Sequence, residues 1–164
     1  IYHIPTRGIL GYRGEFVVDT RGEGILCTEF IGFKPFAGDI EKRQSGSMIS
    51  GETGKALAYS LANLQERGNL YIEPNTDIYE GMIIGDTAKG LDMTVNPIKG
   101  KKLTNMRSSN ADMAIQLTRP DIMTLEKGLE IMAGDEYLEV TPKSVRLRKQ
   151  ALTEMERARG DRSK

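Results

Sequence analysis

One stretch of the chain, residues 93–111, carries basic side chains and no carboxylate. Its four cations are Lys99, Lys101, Lys102 and Arg107, and its candidate hydrogen-bond donors are Asn105, Ser108 and Ser109. Cations neutralise phosphates and release condensed counterions, while hydroxyl and amide groups donate hydrogen bonds to phosphate or ribose. Since Gly100 and the Ser-Ser-Asn run show no periodicity, we interpret this stretch as a flexible phosphate-binding loop. The alternative is a solvated surface loop.

A second group of basic residues lies near the C-terminus. Residues two apart in an extended strand lie on the same face, so Arg146 and Arg148 would project together. Val145 and Leu147 would then point inward. We predict that Arg146, Arg148 and Lys149 enlarge the nucleic-acid-binding surface, and the alternative is an ordinary half-exposed strand.

The residue types that usually perform catalysis are not grouped in this chain. His3 is the only histidine and Cys27 the only cysteine, so these two cannot assemble a zinc cluster. Gly54 and Lys55 lack the upstream glycine and the following Ser or Thr of a phosphate-binding P-loop. Carboxylates at residues 135, 136 and 139 follow a predicted helix and are interpreted as solvated turn residues. The sequence therefore predicts no catalysis, metal or cofactor within this chain.

The charge of the chain is balanced in total but not along its length. The 23 basic and 23 acidic residues cancel. Residues 1–98 hold 9 basic and 13 acidic side chains, whereas residues 99–164 hold 14 and 10. A polyanionic partner would thus meet the C-terminal third. No apolar run approaches the roughly 18 residues that span a membrane, and the lone cysteine agrees with a reducing compartment, so we expect a cytoplasmic protein without a membrane partner.

Short strand-like runs and separate helices predict the α+β class. Residues 1–36 are expected to form a partial ferredoxin-like strand–helix–strand unit. Its strands would lie at residues 1–4 and 24–33, and its helix at residues 7–20. Residues 37–164 are expected to form a second, mixed and mainly β domain with two or three helices. The first residue is not Met, and we expect the chain to be a piece of a longer protein.

Hydrophobic spacing and capping residues predict the elements of the second domain. The clearest helix is predicted at residues 55–67, where leucines form one stripe. A helix capped by Thr124 is predicted to end near Met132, and a polar helix at residues 151–164. Strands are predicted at residues 47–50, 70–72, 82–85, 93–95, 113–117, 137–140 and 144–147.

Several sequence motifs occur together in one known protein family. They lie at residues 51–56, 63–68, 78–82, 96–107 and 140–149. With these motifs the chain resembles the C-terminal domain of the TypA/BipA translational GTPases. Residues 4–12 and 22–24 are similar to the second half of the domain that corresponds to domain V of elongation factor G. The resemblance covers the whole chain, and the uninterrupted Lys-Gly-Lys-Lys-Leu-Thr-Asn-Met-Arg run is its most specific part.

The resemblance implies a multidomain bacterial or plastid factor that binds the ribosome, hydrolyses GTP and takes part in stress response. GTP and Mg would be held by a domain that precedes Ile1. The family's basic loop is thought to reach the acceptor arm of the A-site tRNA, near 23S rRNA. The residues that match this loop are Lys99, Lys101, Lys102, Asn105 and Arg107. The sequence departs from the family at residues 109–111, where many relatives carry a glycine.

The expected function is therefore a cytoplasmic, ribosome- and tRNA-binding region without catalysis of its own. One alternative is a protein-interaction module whose basic loop docks on acidic patches of a ribosomal or regulatory protein. A second alternative, an enzyme fragment, would need a nucleophile and a base. Because half a sheet in residues 1–36 would expose an edge and an apolar face, we also expect the chain to self-associate through these residues.

Overall fold

The computed structural model describes residues 1–38, 45–100 and 116–162, and it confirms the α+β class. The helices are α1 (Thr6–Ile9), α2 (Tyr12–Asp19), α3 (Ala58–Leu64), α4 (Leu125–Ile131) and α5 (Glu154–Arg162). The strands are β1 (Gly46–Ser50), β2 (Gly54–Lys55), β3 (Asp77–Ile78), β4 (Met82–Thr87), β5 (Met93–Val95), β6 (Glu136–Val140) and β7 (Val145–Lys149). In the described part of the chain, no helix is long and apolar enough to cross a membrane.

Residues 1–38 differ from the predicted strand–helix–strand unit. The helical region is present but divided into α1 and α2, because Gly11 adopts a left-handed conformation with φ 85° between them. Residues 1–4 and 24–33 form no strands. A strand needs a neighbour to pair its backbone groups, and no described residue pairs with these two segments. The partial ferredoxin-like unit is therefore corrected to two short helices without strands.

A five-stranded sheet in the order β5-β1-β4-β7-β6 forms the centre of the molecule. Its neighbouring strands are antiparallel, except that β5 runs parallel to β1. A separate ladder joins β2 to β3. The strand predicted at residues 70–72 is reduced to one bridge between Leu70 and Gly85. Most of the strand predicted at residues 113–117 lies outside the described residues.

The two faces of this sheet carry different helices. Met82 of β4 packs in one hydrophobic cluster with Leu61 and Leu64 of α3, and this side is termed the α3 face. The next residue, Ile83, packs in a second cluster with Leu147 and with residues at the end of α4, which defines the α4 face. Successive residues of a strand point to opposite faces, so each strand residue can be assigned to one of the two.

The helices of the second domain follow the predicted positions with shorter bounds. The α3 helix begins at Ala58 rather than at Lys55, because Lys55 pairs with Asp77 in the small β2–β3 ladder. Thr124 caps α4 as predicted, since its side chain accepts a hydrogen bond from the backbone N–H of Lys127 at 3.2 Å.

Candidate nucleic-acid interface

The predicted phosphate-binding residues fall into two groups in the structure. Six of them lie outside the described residues: Lys101, Lys102, Asn105, Arg107, Ser108 and Ser109. The described ones are Lys99, Arg146, Arg148 and Lys149. Their surroundings, and the anchoring of the residues before and after the basic stretch, decide which parts of the surface can face a nucleic acid.

Residues 96–98, which precede the first lysine of the basic stretch, are fixed to the beginning of α3. The backbone N–H of Leu57 donates to the carbonyl oxygen of Pro97 at 2.9 Å. The hydroxyl of Ser60 donates to the carbonyl oxygen of Asn96 at 2.7 Å. Ile98 packs against the hydrophobic cluster of the α3 face. Lys99 follows directly and is exposed, so its ammonium is open to a ligand.

The residues that follow the basic stretch are fixed to the end of the same helix. Gln65 caps α3, and its side-chain amide donates to the carbonyl oxygen of Gln116 at 2.9 Å. The amide oxygen of Gln65 accepts hydrogen bonds from the backbone N–H and the hydroxyl of Thr118, at 3.0 and 3.2 Å. Leu117 packs against the hydrophobic cluster of the α3 face. Gln65 thus holds these residues at the end of α3, and we term these three hydrogen bonds the Gln65 clamp.

Both anchors therefore belong to one helix. Residues 57–65 correspond to about 12 Å of helix at a rise of 1.5 Å per residue. Residues 96–98 and 116–118 are thus held by the two ends of the same short helix, on the α3 face of the sheet.

Arg148 and Arg146 lie on the same face as α3. Arg148 is opposite Met82 in the register of β4 and β7, and residues opposite each other share a face. Arg146, two residues before it, projects to the same side. Both arginines are partly exposed, and no carboxylate among the described residues lies within 4 Å of either guanidinium group. Their guanidinium groups can therefore bind a phosphate.

A tyrosine and a glutamate lie beside the two arginines. The hydroxyl of Tyr79 donates to a carboxylate oxygen of Glu139 at 2.6 Å. Burial raises the pKa of Tyr79, and Glu139 raises it further, while the positive charges of Arg148 and Arg146 act in the opposite direction. The hydrogen bond with Tyr79 occupies part of the acceptor capacity of Glu139. The charge that remains open on this part of the α3 face is mainly positive.

Lys149 is a correction to the predicted site. Lys149 follows Arg148 along β7, so its side chain points to the opposite face of the sheet. Only 2% of its surface is exposed. Its ammonium contacts carboxylate oxygens of Asp92, Asp135 and Glu136 at 2.7, 2.8 and 3.0 Å. Burial disfavours the charged ammonium, but these hydrogen bonds outweigh burial and raise the pKa of Lys149. Three partners occupy its three donors, so Lys149 is not available to phosphate.

The interpretation of residues 135, 136 and 139 as solvated turn residues is corrected for the two glutamates, which lie in β6 and are buried or partly buried. Glu136 is only 4% exposed. Besides the ammonium of Lys149, its carboxylate accepts from the hydroxyl of Ser47 at 2.7 Å and from the backbone N–H of Ala133 at 3.0 Å. Asp135 remains exposed. A buried carboxylate is retained when such donors satisfy it.

The neighbouring cavity is unsuited to phosphate. It has a volume of about 560 Å³ and lies beside Ile83 and Leu147 on the α4 face. Its polar lining includes four carboxylates and one ammonium: Asp86, Asp92, Asp135, Glu136 and Lys149. This excess of negative charge repels anions. Within the described ranges, no group of three or more His, Cys, Asp or Glu side chains is placed to hold a metal ion.

Two residues of this surface escaped the sequence-based prediction. Gln65 lies at the end of α3, and no sequence pattern around it indicates a contact with residues far along the chain. Tyr137 lies opposite Arg148 in the β6–β7 register, with the guanidinium carbon 5.1 Å from the ring centroid. The alternation of β6 could have placed Tyr137 on a face, but only strand pairing shows which arginine lies beside it.

Comparison with known proteins identifies the family of this chain. The family model for the TypA/BipA C-terminal domain matches residues 45–154. The large ribosomal subunit assembly factor BipA of Haemophilus influenzae is 48% identical over 163 residues, which cover 99% of this chain and 26% of that protein. The protein of the same name from Escherichia coli strain K12 is 46% identical, with coverage of 99% and 27%.

A cyanobacterial relative extends this similarity. The large ribosomal subunit assembly factor BipA of Synechocystis is 46% identical over 148 residues, which cover 90% of this chain and 25% of that protein. The chain thus spans about a quarter of the length of the curated relatives it matches. These matches confirm the resemblance seen in the motifs: the chain belongs to the TypA/BipA family and contains its C-terminal domain.

Proposed function

We propose that this chain is the ribosome- and RNA-binding region of a ribosome-associated translational GTPase. Its relatives are named as large ribosomal subunit assembly factors. The observation that carries the proposal is the position of the described residues that precede and follow the basic side chains. Residues 96–98 and 116–118 are anchored on α3, and α3 shares a sheet face with Arg146 and Arg148.

The proposed chemistry assigns a role to each group of side chains. Lys99, Lys101, Lys102 and Arg107 neutralise phosphates, which releases counterions and makes binding sensitive to salt. Asn105, Ser108 and Ser109 donate hydrogen bonds to phosphate or ribose. Arg146 and Arg148 bind phosphate oxygens through their planar, forked guanidinium groups. The proposed partners are 23S rRNA and the acceptor arm of the A-site tRNA.

The remaining parts of the proposal concern the whole factor. GTP and Mg are held outside this chain, which has no catalytic activity of its own, and the factor works in the cytoplasm under stress. Residues 1–36 belong to the unit that resembles domain V of elongation factor G. Residues 37–164 form the family-specific domain, which carries the basic stretch 93–111.

The proposal is tested in the intact factor by replacing Lys101, Lys102 and Arg107 together with Ala. The four cations of the basic stretch alone contribute about −3 to −4 to the slope of log affinity for ribosomes against log salt concentration, from roughly 50 to 200 mM salt. The variant removes three of these contacts, so its ribosome affinity falls and its slope becomes less steep by about 2 to 3. Ribosome co-sedimentation across the salt series measures both quantities.

A matched control removes the same charge elsewhere. Lys34, Lys55 and Lys89 are exposed cations outside the proposed surface, and replacing them with Ala should leave the slope unchanged. Equal slopes for the first variant and the wild type would contradict the proposal. Binding that survives nuclease treatment of the ribosomal particles but not removal of their proteins would favour the protein-docking alternative.

A further inference from the structure

We propose that Tyr137 is a stacking site for an unpaired nucleobase of single-stranded RNA. This inference rests on the proposed function, because RNA must be the partner for a base to reach the surface. It adds a contact of a different chemical kind, since the basic side chains bind the sugar–phosphate backbone whereas a tyrosine ring binds the face of a base.

The first observation is the exposure of the Tyr137 ring. Tyr137 lies on β6, at the edge of the sheet, and half of its surface is exposed. It belongs to neither hydrophobic cluster of the described residues. An aromatic ring on a strand surface, outside the core, is the arrangement on which sheet-based RNA-binding domains stack bases. Packing of the fold therefore does not account for the ring.

The second observation is the arginine that lies over this ring. The guanidinium carbon of Arg148 is 5.1 Å from the centroid of Tyr137. A hydrogen bond of 3.2 Å from this guanidinium to the carbonyl oxygen of Lys149 restrains it. A cation fixed beside an aromatic ring matches the repeating unit of a single strand, in which a flat base is joined to a phosphate.

The third observation is the charge that surrounds the ring. Because Tyr137 is opposite Arg148 and Glu139 is opposite Arg146, all four side chains lie on the α3 face. Lys143, in the turn between β6 and β7, adds an exposed cation. The carboxylate of Glu139 is partly buried and accepts a hydrogen bond from the hydroxyl of Tyr79. The surface around Tyr137 therefore attracts the phosphates that accompany a base.

This chemistry selects a single strand over a duplex. Bases of an RNA helix are stacked on one another, so their faces are closed to a protein ring, whereas loops and ends expose them. Backbone contacts of lysines occur with both forms. Tyr137 is thus the residue expected to distinguish an unpaired segment from a helix.

The experiment compares Tyr137→Leu and Tyr137→Phe in the 164-residue chain. The probes are one fluorescent RNA strand of about 12 nucleotides and the blunt duplex of the same sequence, and anisotropy gives both affinities. We expect Tyr137→Leu to weaken single-strand binding roughly 5- to 100-fold, with duplex binding unchanged. Tyr137→Phe keeps the ring and should bind both probes as the wild type does.

A second readout reports stacking itself. A 2-aminopurine base in the single strand loses fluorescence when it stacks, and this quenching should persist with Tyr137→Phe and disappear with Tyr137→Leu. Thermal unfolding of both variants verifies that they are folded. Unchanged single-strand affinity, or equal weakening of both probes by Tyr137→Leu, would overturn the inference.

The two proposals fail in different ways in this assay. The Lys101, Lys102 and Arg107 triple variant should weaken both probes. If it does so while Tyr137→Leu weakens neither, the stacking site is refuted and the RNA-binding function remains. If the triple variant also binds both probes normally, the RNA-binding function itself is refuted.

Discussion

Lys149 shows how one buried cation can join distant parts of a chain. Its ammonium binds Asp92, which precedes β5, and both Asp135 and Glu136 at the start of β6. Asp92 and Asp135 are about half exposed, so water still reaches them, whereas Glu136 depends on its protein partners. The contact with Lys149 therefore stabilises the charge of Glu136 more than that of Asp92 or Asp135.

Replacing Lys149 with Met should lower the free energy of unfolding by about 3 kcal/mol at neutral pH. Loss of one member of a buried pair costs about 3 to 5 kcal/mol, and the lower end applies because two of the carboxylates are partly solvated. Chemical denaturation measures the change. Lys89→Met, which alters an exposed lysine, is the control and should be nearly neutral.

The stabilisation by Lys149 should depend on pH. Its pKa is raised in the folded state, so the ammonium stabilises the fold fully below the unfolded-state pKa of about 10.4, and the contribution is lost as pH rises above this value. The stability gap between wild type and Lys149→Met should therefore narrow between about pH 9 and 12. A constant gap over that range would contradict this explanation.

At the scale of elements, α3 is the support of the proposed interface. Its inner side contributes Leu61 and Leu64 to the core of the α3 face, and its two ends bind the residues on either side of the basic stretch. Seven residues of helix thus connect the hydrophobic core with the proposed RNA contact. A binding surface whose supporting residues are already fixed loses less entropy on association.

The Gln65 clamp can be tested by Gln65→Ala. The variant loses the hydrogen bonds to Gln116 and Thr118, so these residues must be fixed when RNA binds. Fixing one rotamer-rich side chain costs about 1 kcal/mol, so the affinity for single-stranded RNA should fall several-fold. Because these hydrogen bonds are exposed, the thermal midpoint should change little. Asn63→Ala is the control, since among the described residues the Asn63 amide donates to the carbonyl oxygen of Tyr59 within the same helix. Equal affinities for Gln65→Ala and Asn63→Ala would show that the clamp does not matter.

The elements that could be predicted from the sequence are those that are determined by residues close together along the chain. Short strand-like runs of residues predicted β1 and β5, and Thr124 predicted the start of α4. Strands at residues 1–4 and 24–33 were wrong, because a strand also needs a partner that local sequence does not supply. Lys149 was assigned to the wrong surface for the same reason, since Asp92 lies far away along the chain.

At the scale of the whole molecule, apolar surface is concentrated in the N-terminal part. Among the described residues, most of the exposed large apolar side chains lie in residues 1–36, including Phe30, Phe33 and Phe36. Neither α1 nor α2 contains a buried residue. Exposed apolar area of this kind favours association, and a second copy of the chain brings the same apolar surface.

We predict that the 164-residue chain self-associates through residues 1–36. Its light-scattering mass should rise with concentration above that of one chain, whereas a shortened chain that begins at Ser45 should remain monomeric. The shortened chain should keep a cooperative thermal transition, because the five-stranded sheet and both hydrophobic clusters lie after Ser45. A monomeric mass for the longer chain at high concentration would contradict the prediction.

The contacts of Lys149 have one more consequence for this sheet. Asp92 directly precedes β5 and Asp135 directly precedes β6, and these are the strands at its two opposite borders. The side-chain nitrogen of Lys149 therefore binds carboxylates next to both edge strands, β5 and β6, at the same end of the sheet. Opening of either border at that end separates Lys149 from a carboxylate partner, so this one side chain opposes fraying at both borders.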